Sequence, residues 1–385
     1  MFILALRRSN SAVAVAVLKM MLLTARPTPR EETPEGRNLS AFEPFDADGV
    51  RQRLLTYLRR QVGDDVDISP LKRYTVGFSW VTFGFTATWS EGRRRVAREL
   101  ILRVGPPSGI FAPYRASPEF CALQGLADSG VPVPRPYWYS DDGEALGAPF
   151  FVCEFVRGDA PVPWTADGGP AFDEATRLNL GDQFIAALAA LHNFAWRGTP
   201  VADIGGATTP GETAHAQIAF WEMRMRQWSQ RRYPMLEWAL LWFRMHAPKA
   251  RRITVVHGDY RIGNFLELDG RIAAILDWEL VHLGDPMEDL GWICLQAWRG
   301  RSPYLCHLLT RDELARKDQA ITDAEIDPAA LHYWEVFGTF KLAVMHLGAS
   351  YCFETRGYND LRMAGMGAQL PRMLLQLEAV MERAA

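Results

Sequence analysis

Residues 255–292 constrain the fold of this chain more than any other part of the sequence. An apolar run ends there in a polar loop, and two short apolar segments then flank an Asp-Gly turn, which is the pattern of a β-hairpin. Asp259 and Asn264 lie in the loop and Asp277 follows the hairpin, so we expect the three side chains at one side of a cleft. Oxygen ligands that converge in this way suit Mg²⁺ bound together with phosphate.

The spacing within this segment resembles the catalytic loop of protein kinases. The tripeptide 257–259 (His-Gly-Asp) is followed by four residues and Asn264, with glycine where those enzymes usually carry arginine. Asp277 stands where their metal-binding aspartate would be. The segment is similar to the aminoglycoside phosphotransferase-like, or choline kinase-like, small-molecule kinases. Residues 276–292, LDWELVHLGDPMEDLGW, resemble most the kinase-like domain fused to some acyl-CoA dehydrogenases, and the resemblance covers about residue 71 to the C-terminus.

The resemblance implies an α+β fold of the two-lobed protein-kinase type, with a small antiparallel-sheet lobe, a larger helical lobe and ATP between them. We expect residues 1–40 to be an N-terminal extension that is disordered or resembles a targeting segment. Residues 41–157 would then form the nucleotide-binding lobe, and residues 158–385 the catalytic and acceptor-binding lobe. A hydrophobic content of 48% is ample for the large core that this architecture needs.

The resemblance also implies a reaction, in which an ATP-dependent phosphotransferase moves the γ-phosphoryl group to a hydroxyl of a small molecule. Asp259 would accept the proton of that hydroxyl, while Asn264 and Asp277 would bind Mg²⁺. A single aspartate in a loop is more often a turn former or a helix cap, and it is the combination that indicates function. We expect His257 to brace the loop by hydrogen bonding rather than to act as a base. We expect Asp285 to cap a helix.

The resemblance also implies a nucleotide site made of four residues, three that contact the nucleotide and one that pairs with Arg103. Gly77 would let the backbone approach a phosphate, and Ser79 could donate to one. Arg103 stands where most kinases carry a lysine that holds the α- and β-phosphates, and a guanidinium can do this by a bidentate contact. Glu119 is the candidate ion-pair partner of Arg103. The alternatives are a simple hairpin turn at Gly77, a surface strand arginine, and a glutamate that only complements the helix dipole.

Residues 150–155 are apolar enough to form a central strand, and in the kinase-like fold the end of this strand is the hinge between the lobes. Backbone groups of Glu154, Phe155 and Val156 are therefore expected to hydrogen-bond the edge of the adenine. The glycine- and proline-rich residues 158–170 that follow are the natural boundary between the lobes.

Periodicity predicts the remaining elements. Helical spacing marks residues 46–62, and alternation in residues 81–89 predicts a half-buried strand within a sheet of about five strands. Ser117 is the expected N-cap of a helix in the small lobe. After the central segment, apolar spacing predicts three helices, at residues 290–298, 327–353 and 361–383.

Charge and cysteine content limit the possible partners and compartment. A formal net charge of −3 provides no overall field for nucleic acid or an anionic membrane, so we expect neither as a partner. The five cysteines are scattered, which predicts reduced, buried thiols in a cytoplasmic protein. Residues 1–30 contain basic but no acidic side chains, so organellar import stays open. The sequence also leaves the oligomeric state open.

The acceptor is the least determined part of the prediction. A hydroxyacyl-CoA follows only from the resemblance to the fused acyl-CoA dehydrogenase branch. The alternatives are an aminoglycoside or macrolide, a sugar or amino alcohol, or no acceptor at all in a nucleotide-binding pseudokinase that regulates a partner. An aminoglycoside kinase should have an acid-rich C-terminal pocket. Here the C-terminal acids are diluted by aromatic and basic residues, which favours an apolar or anionic acceptor; the acids are Glu335, Glu354, Asp360, Glu378 and Glu382.

Overall fold

The computed structural model describes residues 45–75, 77, 79–165, 169–355 and 360–383. The predicted extension, residues 1–40, lies outside that part of the chain, as do Val76 and Phe78 on either side of Gly77. In the described residues a small antiparallel sheet with two helices precedes a larger, mainly helical lobe, which is the predicted α+β class. The limits proposed for the domains stay a prediction.

The small lobe begins with helix α1 (Ala47–Val62), as the helical spacing predicted. The helix starts where Asp46 accepts the Gly49 N–H through Oδ2 at 2.8 Å. Its buried face, which includes Leu54 and Leu58, packs into one apolar cluster with the sheet. The same spacing that predicted the helix therefore also predicted which side of it is buried.

Six strands form the sheet in the order β1-β3-β4-β6-β5, with β2 also paired to β3, and all pairs are antiparallel. The strands are β1 (Asp67–Ile68), β2 (Lys72–Tyr74), β3 (Val81–Glu91), β4 (Arg94–Val104), β5 (Pro136–Ser140) and β6 (Phe150–Glu154). The predicted number of about five is low because β1 and β2 are too short to show a period. Along β3, Phe83, Phe85 and Trp89 are buried as the alternation predicted.

Helix α2 (Ser117–Leu126) has a different cap from the one expected. Its N-cap is Ala116, and the prediction of Ser117 in that position is wrong. The carboxylate of Asp141 accepts the N–H groups of both residues through Oδ1. Because Asp141 lies after β5 in the sequence, local spacing could not reveal this cap.

The larger lobe is built from helices around a few short strands. In chain order these elements are α3 (Glu174–Asn193), α4 (Thr213–Trp228), α5 (Pro234–His246), β7 (Thr254–Val256), β8 (Phe265–Leu268), β9 (Arg271–Ile275), β10 (His282–Gly284), α6 (Met287–Ile293), α7 (Arg311–Thr322), α8 (Pro328–Glu354), α9 (Leu361–Gly367) and α10 (Leu370–Met381). Strands β8 and β9 form the predicted hairpin, and β10 pairs with β7.

Three predictions for the C-terminal helices need correction. The helix expected at 290–298 is α6 followed by a separate 3₁₀ turn, Gln296–Trp298. The helix expected at 361–383 is two helices, because Pro371 lacks the N–H that a continuous helix would use. Helix α7 was not predicted, because it buries only Leu314 and Asp318 and so lacks an apolar stripe.

Helix α8 is the buried centre of the larger lobe. It is long and apolar enough to cross a membrane by length and composition alone, yet 83% of its most apolar window is buried inside the protein, as in the core helix of a globular fold. Helix α6 lies against it at close range, since a Cβ at Gly291 would be 2.6 Å from the Trp334 Cβ. This close approach brings the middle of α8 near the segment that carries the predicted site.

The chain passes from the small lobe to the larger one through a segment that is hydrogen-bonded to the β8–β9 hairpin. The Asp159 N–H donates to the Glu267 carbonyl at 3.0 Å, and the Glu267 N–H donates back at 2.9 Å. Gly158 has a φ of 137°, and a Cβ there would be 2.8 Å from the Glu267 oxygen. A larger residue would therefore disturb the pairing at this boundary.

All five cysteines are free. Four are buried and Cys121 is partly exposed, so the predicted buried thiols are confirmed except at that position.

Candidate active site

The loop after β7 makes a tight turn at Gly258. Its φ is 81°, and a Cβ there would be 2.6 Å from the Leu280 carbonyl oxygen. A glycine is therefore required where protein kinases usually carry arginine. This turn immediately precedes Asp259.

Three donors hold the Asp259 carboxylate. Oδ1 accepts from Arg261 Nε at 3.0 Å and from Trp292 Nε1 at 2.8 Å. Oδ2 accepts from Asn264 Nδ2 at 2.7 Å. The side chain is 17% exposed, so solvent or a ligand can still reach it. The carboxylate is thus fixed in direction while remaining accessible.

His257 braces this loop from inside the protein. Its Nδ1 accepts the Asp259 N–H at 3.1 Å, which leaves Nε2 to donate to the Leu276 carbonyl at 2.9 Å. Burial lowers the pKa of His257, against the charge of Asp289, and so favours the neutral ring that these bonds require. The predicted bracing role is confirmed by these contacts.

Asp289 holds the backbone of the loop just before Asp259. Its carboxylate accepts the N–H groups of His257 and Gly258, both at 2.9 Å, and lies 3.1 Å from His192 Nε2. Burial acts to raise the pKa of Asp289, and the hydrogen bonds and charges of His192 and His257 more than offset it, so the pKa is lowered. An ionised carboxylate therefore anchors the backbone before Asp259.

Asp285 has the structural role expected of it. Its Oδ1 accepts the Met287 N–H at 3.0 Å at the start of α6. Its Oδ2 accepts from Trp334 Nε1 at 3.1 Å, which also attaches α6 to α8. Burial raises the pKa of Asp285 to about 6.

Asp277 enters the same site from the end of the hairpin. Its backbone is left-handed, with φ 61° and ψ 58°, and its side chain is 43% exposed. The preceding residue, Leu276, donates its N–H to the Asn264 carbonyl at 2.8 Å. This bond holds the exit of the hairpin, and with it the backbone before Asp277, beside the loop that carries Asp259 and Asn264.

Arg103 connects the two lobes at this point. Its Nη1 lies 2.9 Å from Glu119 Oε2, which confirms the predicted ion pair, and its Nη2 lies 3.2 Å from Asp277 Oδ1. Burial raises the pKa of Glu119 to about 7, against the opposing charge of Arg103. Burial acts to lower the pKa of Arg103, and the charges of Glu119 and Asp277 outweigh it. The part these residues play in nucleotide binding stays a prediction.

Glu279 is a member of this cluster that the sequence did not indicate. It lies two residues after Asp277, and burial together with the Asp277 charge raises its pKa well above the usual range. Ser79 is buried beside this carboxylate. Its donation to a phosphate stays a prediction. Gly77 has a φ of 112°, which favours glycine at that position.

The structure restricts the hinge prediction at two of its backbone N–H groups. The Glu154 N–H donates to the Arg135 carbonyl at 2.8 Å, and the Phe155 N–H donates to the Glu99 carbonyl at 3.0 Å. Both groups are therefore used by neighbouring chain segments and are not free for an adenine. Of the three predicted N–H groups, the candidate donor is that of Val156.

Two partners of Asp259 were missed by the sequence reasoning. Arg261 could have been found, because it lies two residues from Asp259 on the same loop. Trp292 lies 33 residues away in α6, and no spacing rule shows that its ring turns back to the loop.

Comparisons with known proteins identify the family of this chain. The model of the phosphotransferase enzyme family matches residues 87–329, which is more than half of the chain. Acyl-CoA dehydrogenase family member 10 of Mus musculus is 30% identical over 206 residues, which cover 52% of this chain and 19% of that protein. The chain thus spans about a fifth of the length of that relative.

Solved structures share the fold over most of the chain. A Ralstonia eutropha JMP134 protein described as an aminoglycoside phosphotransferase has a TM-score of 0.67 and 22% identity, covering 87% of this chain and 99% of its own. A thermostable aminoglycoside phosphotransferase APH(4)-Ia mutant, in complex with ADP and hygromycin B, has a TM-score of 0.53 and 17% identity, covering 85% and 97%. The kinase-like architecture is confirmed, and the chain belongs to the phosphotransferase enzyme family.

Proposed function

We propose that this protein transfers the γ-phosphoryl group of ATP to a hydroxyl of a small molecule, with Asp259 as the proton acceptor. The observation that carries the proposal is the Asp259 carboxylate, which three donors orient while it stays accessible. A base in this position can accept a hydroxyl proton once the acceptor displaces one of those donors. Most of the rate enhancement would come from positioning and charge stabilisation.

Asn264 and Asp277 would hold Mg²⁺, and the atoms present fit that ion. The Asn264 amide nitrogen donates to Asp259, so its Oδ1 is the atom available as a ligand. Asp277 adds a carboxylate that is 43% exposed. Across the described ranges no group of three or more His, Cys, Asp or Glu could hold a metal, so phosphate oxygens and water would complete the coordination, as Mg²⁺ commonly requires. The bound ion would neutralise charge that develops on the phosphates.

The nucleotide would lie beside Arg103, whose guanidinium would hold the α- and β-phosphates. In this structure Arg103 Nη2 contacts Asp277, and Nη1 contacts Glu119. Glu119 would keep the guanidinium in place while the phosphates and the ion replace the contact between Arg103 and Asp277. The Val156 N–H and the neighbouring carbonyls would meet the adenine edge.

A hydroxyacyl-CoA is the acceptor we favour. The support from relatives is that one of them is named as an acyl-CoA dehydrogenase family member. This chain matches about a fifth of the length of that protein. The support from this chain is that two of the five C-terminal acids named above are already paired with arginines, which disfavours a polycation. Glu335 lies 2.8 Å from both Arg311 and Arg383, and Asp360 is paired with Arg362.

The test is a transfer assay with Mg-ATP and a panel of hydroxy compounds. The panel contains hydroxyacyl-CoAs that differ in chain length and hydroxyl position, the matching free hydroxy acids, hygromycin B, a macrolide and choline. Phosphorylated products are identified by mass spectrometry, and Asp259→Asn is the control. We expect that variant to lower turnover roughly 100-fold or more while leaving ATP affinity nearly unchanged.

The alternative functions predict other results in the same assay. Transfer to hygromycin B or choline but to no hydroxyacyl-CoA would reject the favoured acceptor and retain the kinase. ATP binding without transfer to any compound would support a regulatory pseudokinase. Wild-type turnover in Asp259→Asn would reject the proposed base.

A further inference from the structure

Helix α8 carries a buried cation that the proposed reaction does not yet use. The Lys341 side chain is 1% exposed, and it stands among apolar residues of the core. A buried ammonium is costly unless ion pairs and hydrogen bonds compensate for it. Its partners therefore indicate what the residue does.

Lys341 contacts the catalytic loop directly. Its Nζ donates to the Gly258 carbonyl at 2.6 Å and lies 3.1 Å from Glu288 Oε1. It also lies 4.8 Å from the centre of the Trp292 ring, whose Nε1 donates to Asp259. One ammonium thus contacts both the backbone before Asp259 and the ring that holds the Asp259 carboxylate.

These contacts complete the support of a flexible turn. Gly258 has the conformational freedom of glycine, so the peptide groups on both sides of it must be held to fix Asp259. Asp289 accepts the N–H of the first peptide, and Lys341 donates to the carbonyl of the second. Two buried groups of opposite charge therefore hold the turn: the Asp289 carboxylate and the Lys341 ammonium.

We propose that Lys341 is a positioning residue for phosphoryl transfer, which fixes the Gly258 carbonyl and the Trp292 ring so that the Asp259 carboxylate meets the acceptor hydroxyl. This inference rests on the proposed role of Asp259. It predicts that the Lys341 charge supports turnover more than it supports folding or nucleotide binding.

The competing explanation is that Lys341 serves stability alone. It belongs to a buried network in which Glu288 also contacts His282 Nε2 at 3.1 Å. Burial acts to raise the pKa of Glu288, and the charges of His282 and Lys341 lower it. Removing one member of such a network leaves an uncompensated buried charge, so a loss of stability by itself would not identify the role.

Four variants separate the two explanations, and one of them, Lys341→Arg, keeps the positive charge. Lys341→Met keeps an unbranched side chain and removes the charge. The double variant Lys341→Met with Glu288→Gln also removes the Glu288 charge that faced Lys341, and the glutamine amide can donate to a neutral His282 ring. The matched control is Arg177→Met, which removes another buried cation that donates to a backbone carbonyl, Leu308 at 2.8 Å, and pairs with a glutamate.

The assay measures ADP release from Mg-ATP with water as the phosphoryl acceptor, and again with a hydroxyacyl-CoA, beside melting temperature for every protein. We expect Lys341→Met to lower kcat about tenfold or more, with KM for ATP within about twofold of wild type. The double variant should recover melting temperature but not kcat. Lys341→Arg should recover part of kcat. Arg177→Met should lower melting temperature and leave kcat within about twofold.

The outcomes that overturn the inference are distinct from those that overturn the proposed function. A folded Lys341→Met with wild-type kcat, while Asp259→Asn is inactive, refutes the role of Lys341 alone. Recovery of both kcat and melting temperature in the double variant reduces Lys341 to a stabilising residue. A raised KM for ATP with unchanged kcat assigns it to nucleotide binding instead. Wild-type kcat in both Lys341→Met and Asp259→Asn refutes the proposed function as well.

Discussion

Replacing Glu119 with glutamine tests whether this buried carboxyl group, which contacts Arg103, has the raised pKa expected from its burial. Glu119 is 2% exposed, and burial raises its pKa to about 7 although the Arg103 guanidinium lies 2.9 Å away. Glutamine keeps the shape of the side chain but does not ionise. The variant therefore removes one titration and leaves the packing nearly unchanged.

The contribution of Glu119 to the free energy of unfolding follows from its pKa in the folded and in the unfolded chain. The ordinary pKa of 4.5 applies to the unfolded chain, and a pKa of about 7 applies to the folded protein. Between these values the folded state binds more protons, so the free energy of unfolding falls as the pH rises. The Glu119 contribution is fully present below about pH 4.5 and is lost as the pH passes about 7, and the total is about 3 kcal/mol.

Urea unfolding of wild type and Glu119→Gln at pH 5 and pH 8 measures this contribution. Groups that do not interact with Glu119 titrate in both proteins and cancel in the comparison. We expect the stability of the variant relative to wild type to rise by about 2 to 3 kcal/mol between the two pH values. A constant difference would refute the reasoning. A difference of opposite sign would show that Arg103 outweighs burial and lowers the pKa of Glu119.

Further variants test the other assignments. Asp277→Ala should abolish transfer and weaken ATP binding in the presence of Mg²⁺ but much less in EDTA, as calorimetry would show; equal weakening in both would reject metal binding. Asp285→Ala should lower the free energy of unfolding by about 2 kcal/mol, because Met287 and Trp334 lose their acceptor, and loss of catalysis without loss of stability would contradict this. Arg103→Met should raise KM for ATP about tenfold or more, and an unchanged KM would mean that the nucleotide is held elsewhere.

The sequence was sufficient for the part of the site whose contacts are local. Asp259 and Asn264 are five residues apart on one loop, and the Asp-Gly turn at Asp269 specifies the hairpin that leads to Asp277. The ion pair of Arg103 with Glu119 was implied by the resemblance to the kinase family rather than by a local pattern. In the loop and the hairpin, neighbouring residues determine both the element and its direction.

Contacts between distant segments could not be predicted in this way. Lys341 and Gly258 are 83 residues apart, and only the packing of α8 against α6 brings them together. The hinge N–H groups of Glu154 and Phe155 pair with segments that come earlier in the chain. Those tertiary contacts determine which backbone donors are free for a ligand. A local sequence pattern does not predict such contacts.

The left-handed backbone at Asp277 has a consequence for directed evolution. A residue other than glycine in this conformation costs on the order of 1 kcal/mol, whereas glycine adopts it freely. A library selected for heat resistance alone would therefore be enriched in Asp277→Gly, a substitution that removes the proposed metal ligand. Under such a selection, thermostability and turnover would diverge at this position.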